Sequence, residues 1–128
     1  MSALSLPLWR QFSRYACCGG LATATHLAAM ALLVAGGMPA LWATGLGAAL
    51  GAAANYFLQY HLAFQARRPH AQAVLAYLPA TAVGWGLNAL LFHLLHTRLD
   101  ASVASAQLAT TLLVALSNFW LYKKAVFR

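Results

Sequence analysis

The stretch NFWLYKKAVF, residues 118–127, joins an amide, aromatic rings, two lysines and a closing phenylalanine at the end of a long apolar run. The same pattern occurs earlier as NYFLQYHLAF, residues 55–64, and the two stretches align without a gap. Their offset is 63 residues, close to half of the 128-residue chain. A constant offset of this kind predicts a tandem duplication, with repeats at about 9–64 and about 72–127.

Composition places the whole chain in the membrane. Hydrophobic residues make up 62% of it and charged residues 7%, whereas soluble domains are about one quarter charged. The length accommodates about four spans of roughly 20 residues each, with no room for a soluble catalytic domain beside them. We therefore expect an all-α membrane protein, a single domain over 1–128, built as a tandem repeat of two two-helix units.

Turn-forming and charged residues set the limits of the predicted spans. The spans cover about residues 15–35, 41–61, 74–94 and 103–123, and glycine and proline at 36–39 separate the first two. Arg10 and Arg14 precede the first span as they would in a signal peptide. The apolar run nevertheless continues for about 20 residues without a convincing cleavage site, so we expect this span to be retained.

The cationic side chains are distributed unequally about these spans. Seven lie on one predicted side, and only Arg98 lies on the other. The seven are Arg10, Arg14, Arg67, Arg68, Lys123, Lys124 and Arg128. The positive-inside rule makes their side cytoplasmic, so both termini are expected there. The two repeats would then run in the same direction about an axis along the membrane normal. The one-sided charge also predicts a single orientation in the bilayer, which favours a parallel homodimer over an antiparallel one.

The net charge of +7 also predicts an anionic partner. In a soluble protein this excess would suggest nucleic acid, but here the charges lie between apolar runs and point to lipid headgroups or phosphate. Lysines that extend to the headgroups without binding a ligand are the simpler alternative. The predicted phosphate or headgroup site comprises Arg10, Arg14, His61, Arg67, Arg68, Lys123 and Lys124.

Polar side chains inside the spans are candidates for a sugar or translocation path. Asn55 and Gln59 are four residues apart, as are Asn118 and Tyr122, so each pair shares a helical face. The amides either clasp neighbouring helices or face a polar groove. His26 lies mid-span, where a charge costs several kcal/mol, so we expect it to be neutral. The predicted path comprises Thr23, His26, Asn55, Gln59, Trp85, Asn88, Asn118 and Tyr122.

Several of these residues admit a purely structural interpretation. Thr23 is three residues before His26 and could hold it as a packing residue, and Trp85 is explained by packing or by a cavity. The spacing of Gly47 and Gly51 predicts close helix contact, either within the chain or across a homodimer. Tyrosines near the predicted cytoplasmic ends form an interfacial belt or line a mouth where a sugar could stack.

The residues weigh against two other classes of protein. Because Asp100, the only acid, lies in a predicted outer loop, an exporter that exchanges protons at a carboxylate inside the membrane is disfavoured. We see no serine, histidine and carboxylate set, no metal-ligand cluster and no glycine-rich phosphate loop, so we expect neither an enzyme nor a cofactor. The neighbouring Cys17 and Cys18 would form a strained disulfide and are expected to pack as small apolar side chains.

Nearly the whole chain resembles the GtrA-like family of four-span bacterial membrane proteins. The resemblance rests on the entry segment 12–20, on the following GLAT at 20–23, and on the two endings already quoted. The second ending is the closer match, since Tyr60 stands where the family pattern has a basic residue.

The resemblance implies a flippase that moves a polyprenyl-monophosphate-linked sugar across the bacterial cytoplasmic (inner) membrane for envelope polysaccharide glycosylation. The expected partners are this lipid-linked sugar, membrane lipids and a second copy of the chain. The alternative is a non-transporting scaffold that anchors a glycosyltransferase.

Overall fold

The computed structural model describes residues 6–128, which are mostly helical and contain no strand. Four α-helices carry this part of the chain: α1 (Leu8–Ala35), α2 (Ala40–Leu58), α3 (His70–His93) and α4 (Val103–Leu121). Each of the last three continues into a five-residue π-helical segment: π1 (Gln59–Ala63), π2 (Leu94–Arg98) and π3 (Tyr122–Val126). The predicted all-α class is confirmed. The predicted span limits agree within a few residues, except that α1 begins seven residues earlier than its apolar run.

Proline decides where three of the α-helices begin. Pro7, Pro39 and Pro69 occupy the positions immediately before α1, α2 and α3, with φ angles of −51°, −56° and −56°. Proline fits there because its φ is already close to the helical value and the first turn does not need its missing N–H. Helix α4 instead begins after Ser102, whose Oγ accepts a hydrogen bond from the backbone N–H of Ser105 at 3.1 Å.

The chain divides into two compact units, one ending at Ala66 and the other comprising Arg67–Arg128. Unit 1 contains α1, α2 and π1. Its helices are antiparallel, because Gln59 in π1 donates from Nε2 to the Tyr15 carbonyl near the start of α1, while Thr44 near the start of α2 contacts Met30 near the end of α1. The turn between them uses Gly37 at φ 96°, a conformation that favours glycine.

Two glycines of α2 allow it to approach α1 closely. Gly47 and Gly51 are buried, and a Cβ atom added to either would lie within 3.0 Å of His26. The sequence left open whether these glycines serve a contact within the chain or across a homodimer. They contact α1 of the same chain.

Unit 2 contains α3, π2, α4 and π3, again as an antiparallel pair. The ring of Tyr77 in α3 lies 5.7 Å from that of Tyr122 and 6.1 Å from that of Phe127, measured between centroids. Farther along α3, Gly84 faces the side-chain amide of Asn118 in α4. Aromatic packing therefore closes one end of this unit, and a small residue allows close contact nearer its middle.

Three helical segments in residues 6–128 are long and apolar enough to cross a membrane: Leu8–Ala35, His70–Arg98 and Val103–Val126. They expose large apolar side chains such as Leu32 and Leu75, which identifies a membrane protein. Helix α2 is not among the three, although the sequence predicted a fourth span there. Its polar and small residues, including Thr44 and Gly45, reduce its mean hydropathy.

The buried positions of the two units coincide at fixed offsets. In α2, π1 and the residue after it, the buried Ala43, Tyr56, Gln59, Ala63 and Phe64 lie 63 residues before the buried Ala106, Phe119, Tyr122, Val126 and Phe127. In α1, the buried Tyr15, Cys18 and Ala22 lie 62 residues before the buried Tyr77, Ala80 and Gly84. The first helices of the two units thus correspond at an offset one residue shorter than the second helices.

Candidate anionic-headgroup site

A group of cations and aromatic rings surrounds π3 in unit 2, and we call Arg68, Phe119, Trp120, Lys123 and Lys124 the cationic end. Lys123 Nζ lies 5.9 Å from the ring centroid of Phe119 and 6.0 Å from that of Trp120. Lys124 Nζ lies 5.5 Å from the Trp120 centroid. Ring faces attract cations at these distances, and the carbonyl groups at a helix C-terminus favour positive charge. Lys124 is exposed and Lys123 is half-buried, so this end presents charge to its surroundings.

Arg68 takes part in this end through the backbone. Its Nη1 donates to the carbonyl oxygen of Ala125 at 2.6 Å and to that of Val126 at 3.4 Å. These carbonyls belong to the last turn of π3, where no further helical N–H follows to satisfy them. Arg68 belongs to the predicted headgroup site, and in the structure its Nη1 closes the end of π3. Its neighbour Arg67 is exposed.

The corresponding end of unit 1 carries less charge. Arg14 Nη1 donates to the Leu62 carbonyl at 3.3 Å, and the guanidinium of Arg10 lies 5.2 Å from the Trp9 ring centroid. His61 is exposed and stacks on Phe57 with centroids 6.5 Å apart. The predicted headgroup residues of the two units are therefore all found on or beside the ends of helices.

The predicted amide pair of unit 1 forms a direct hydrogen bond. Gln59 Nε2 donates to Asn55 Oδ1 at 3.2 Å and to the Tyr15 carbonyl at 3.1 Å, which confirms the shared face. Gln59 is fully buried, and its Oε1 has no hydrogen-bond partner among the described residues. This amide thus clasps α1, as the packing interpretation required. In unit 2, Tyr122 occupies the equivalent position and packs its ring on Phe127.

His26 lies in α1 against Gly47 and Gly51 of α2. Its ring Cδ2 lies 2.9 Å from the point where a Cβ on Gly47 would stand. Its Nε2 is buried and has no hydrogen-bond partner within residues 6–128. The sequence suggested that Thr23 could satisfy this imidazole, but Thr23 is exposed and does not partner Nε2. A buried polar atom in the middle of α1 is thus left without a hydrogen bond among the described residues.

In unit 2, the amide of Asn118 lies against Gly84, with Oδ1 3.0 Å from the position of a Cβ there. Asn88 is half-buried and corresponds to His26 at the offset of 62 residues. The offset of 63 residues, which aligns the second helices of the two units, does not reveal this correspondence. Trp85 is 64% exposed, so packing inside the unit does not explain it.

Sequence reasoning missed the backbone part of the site. The carbonyls of Leu62 and Ala125 are 63 residues apart, and each accepts a hydrogen bond from an arginine of its own unit. The duplicated phrase was the available signal, since it placed the two carbonyls in equivalent positions. Among residues 6–128 no group of three or more His, Cys, Asp or Glu side chains could hold a metal ion.

The fold and these helix ends define a small all-helical membrane protein whose cations concentrate at the ends of its helices. The family profile described as GtrA/DPMS, transmembrane domain, matches residues 14–127, and the chain belongs to this family. No curated protein and no solved structure matches the chain. The family relates to polyprenyl-phosphate sugars and membrane lipids, which connects the chain with the handling of such lipids.

Proposed function

We propose that this protein is a flippase for a polyprenyl-monophosphate-linked sugar in the bacterial cytoplasmic membrane, serving envelope polysaccharide glycosylation. The observation that carries the proposal is the cationic end of unit 2 in a chain of this family. Lys123 and Lys124 present two ammonium groups beside aromatic rings. A phosphate there would form charge-assisted hydrogen bonds, which are stronger than neutral ones.

The chemistry of the substrate suits the rest of the chain. A polyprenyl tail is apolar and can remain in the bilayer beside the exposed apolar faces of α1, α3 and α4. In the proposed path the phosphate meets Lys123 and Lys124 at the cationic end of unit 2. The amide of Asn118, in the same unit, is the polar group proposed to contact the sugar. The path carries out no covalent chemistry, so the protein is proposed to act without catalysis.

The proposed arrangement in the membrane has four spans, with α2 as the second, and both termini on the cytoplasmic side. The coincident burial of the two units at offsets of 62 and 63 residues supports a tandem duplication. The excess of cations on the side of the termini supports a single orientation. A single orientation is compatible with a parallel homodimer, which we propose as the working form.

Flipping of a labelled polyprenyl-phosphate sugar in proteoliposomes tests the proposal. We expect the wild-type protein to accelerate flipping over protein-free vesicles. The double variant Lys123→Ala with Lys124→Ala should flip the lipid about tenfold more slowly, because the phosphate loses its contacts with both ammonium groups. A tenfold change corresponds to roughly 1.4 kcal/mol.

A variant with the same loss of two charges separates a local site from general electrostatics. Arg98 and Arg128 are exposed and lie outside the proposed site, so Arg98→Ala with Arg128→Ala should retain flipping. Equal losses of flipping rate in the two double variants would reject Lys123 and Lys124 as the phosphate site. No acceleration by the wild type would reject transport.

The scaffold hypothesis predicts a different result. A glycosyltransferase would co-purify, and replacement of both lysines would leave its activity intact. Gly47 and Gly51 of α2 pack against α1 of the same chain, so these two glycines are not open to such a partner.

A further inference from the structure

Two arginine-to-carbonyl bonds have the same place in the two units. Arg14 Nη1 reaches the carbonyl of Leu62 in π1, and Arg68 Nη1 reaches the carbonyl of Ala125 in π3. The two carbonyls are equivalent at the offset of 63 residues, yet the arginines are not equivalent at the offset of 62. Arg14 lies in the second turn of α1, whereas Arg68 precedes α3. In each unit an arginine thus satisfies the equivalent carbonyl, but the two arginines come from different positions in their units.

From this repetition we infer that Arg68 is a positioning residue, which fixes π3 so that Lys123 and Lys124 hold the phosphate. The inference rests on the proposed function for its last step. Arg68 joins the segment before α3 to the final turn of π3, and both lysines belong to that π-helical segment. With the last carbonyls held, the lysine stems begin from a fixed backbone beside Phe119 and Trp120.

The geometry favours this role over direct headgroup binding. The contact of 2.6 Å with Ala125 is short for an N–H donor, as charge-assisted bonds are. The Arg68 side chain is half-buried, while Lys124 is exposed. A guanidinium that left the carbonyls for a phosphate would release the end of π3 that carries the lysines. Arg68 Nη1 is committed to the two carbonyls, so only the remaining N–H groups of this guanidinium could face a phosphate.

The rate of amide hydrogen exchange in the C-terminal segment tests, without any ligand, whether Arg68 holds the end of π3. In wild-type protein the N–H of Phe127 donates to the Tyr122 carbonyl at 2.7 Å. Arg68→Lys keeps the charge but places the ammonium on a shorter stem than Nη1. We expect amides of residues 122–128 to exchange about tenfold faster in this variant, the loss of roughly one charge-assisted bond. Arg128→Gln, which removes an exposed charge nearby, should leave their exchange as in wild type.

Binding of polyprenyl monophosphate, measured by titration calorimetry in detergent, tests the positioning role. We expect Arg68→Lys to weaken binding about tenfold despite its retained charge, and Arg128→Gln to bind as the wild type does. Wild-type exchange and affinity in Arg68→Lys would overturn the inference, because charge alone would then suffice. Faster exchange with unchanged affinity would show that Arg68 holds the end of π3 but would reject its role in phosphate binding.

Failure of the wild type to bind the lipid has a distinct meaning. It would overturn the proposed function and the positioning role together, while the exchange experiment would still decide whether Arg68 closes π3.

Discussion

At the scale of the residue, the contact between α1 and α2 depends on two missing side chains. A Cβ on Gly47 would lie 2.9 Å from the His26 carbonyl oxygen, and one on Gly51 would lie 2.8 Å from the His26 Cβ. These neighbours belong to backbone or to the root of a side chain, so they cannot rotate away. We expect Gly47→Ala and Gly51→Ala each to destabilise unit 1 by about 1–3 kcal/mol, measured as thermal or denaturant unfolding in detergent.

Gly45 provides the matched control on the same helix. A Cβ there would meet no described atom within 4 Å. Because alanine favours a helix over glycine by up to about 1 kcal/mol, Gly45→Ala should be neutral or stabilising. If all three alanine variants behave alike, helix propensity rather than contact with His26 governs α2.

Sequence reasoning reached part of this residue-level picture. It identified the glycine spacing and the shared face of Asn55 and Gln59, because both follow from helical periodicity. It could not choose the partner of the glycines, which depends on how α1 rotates about its axis. It also offered Thr23 as the partner of His26, although the threonine is exposed. Spacing defines a face within one helix and leaves the facing helix undetermined.

At the scale of the element, π1 and π3 share a backbone but differ in the environment of their side chains. Tyr60 in π1 is 8% exposed, whereas its counterpart Lys123 is half-buried. A lysine at position 60 would place an ammonium in a buried site at a cost of about 2 kcal/mol or more. We therefore expect Tyr60→Lys to lower the unfolding temperature in detergent.

His61→Lys is the comparison for this prediction, because His61 is exposed and adjacent. An exposed substitution usually changes stability by less than about 0.5 kcal/mol. Equal stability of the two variants would contradict the interpretation that burial has made the two ends non-equivalent.

The helix starts were accessible from sequence and the π-helical ends were not. Proline marks a start through its own covalent geometry, so Pro39 and Pro69 carry their information locally. A π turn instead depends on which carbonyl an N–H selects, as when Phe64 donates to Gln59 at 2.9 Å. The same residues could complete an ordinary α-helical turn. Only the repeated phrase indicated that residues 59–63 and 122–126 would behave alike.

At the scale of the whole molecule, the distribution of charge predicts the orientation in the membrane. Reporter fusions check it: a fluorescent protein after Arg128 should be fluorescent in cells, because it stays in the cytoplasm. Alkaline phosphatase inserted at residues 99–101 should be active, because it needs the oxidising exterior for its disulfides. Inactive phosphatase at 99–101 or at 36–39 would contradict the proposed four-span topology.

Composition and the repeated phrase were sufficient for the fold class and the family of the whole molecule. Their success has a physical basis, since a bilayer demands long apolar helices with internally bonded backbones. The number of spans was less secure. Helix α2 contains Gly45 and Thr44 besides Gly47 and Gly51, which pack closely against α1. None of these four residues raises the hydropathy on which a span prediction depends.

Because burial coincides at offsets of 62 and 63 residues, one molecule contains two versions of the same packing arrangement. Ala43 and Ala106 are both fully buried, and so are Ala63 and Val126, so each pair samples one structural position in two sequence contexts. Tolerance to substitution at such a position is expected to be shared by both members wherever packing determines it. Where the two residues of a pair differ, as Gln59 and Tyr122 do, a difference in their tolerance to substitution would reveal a role that packing does not explain.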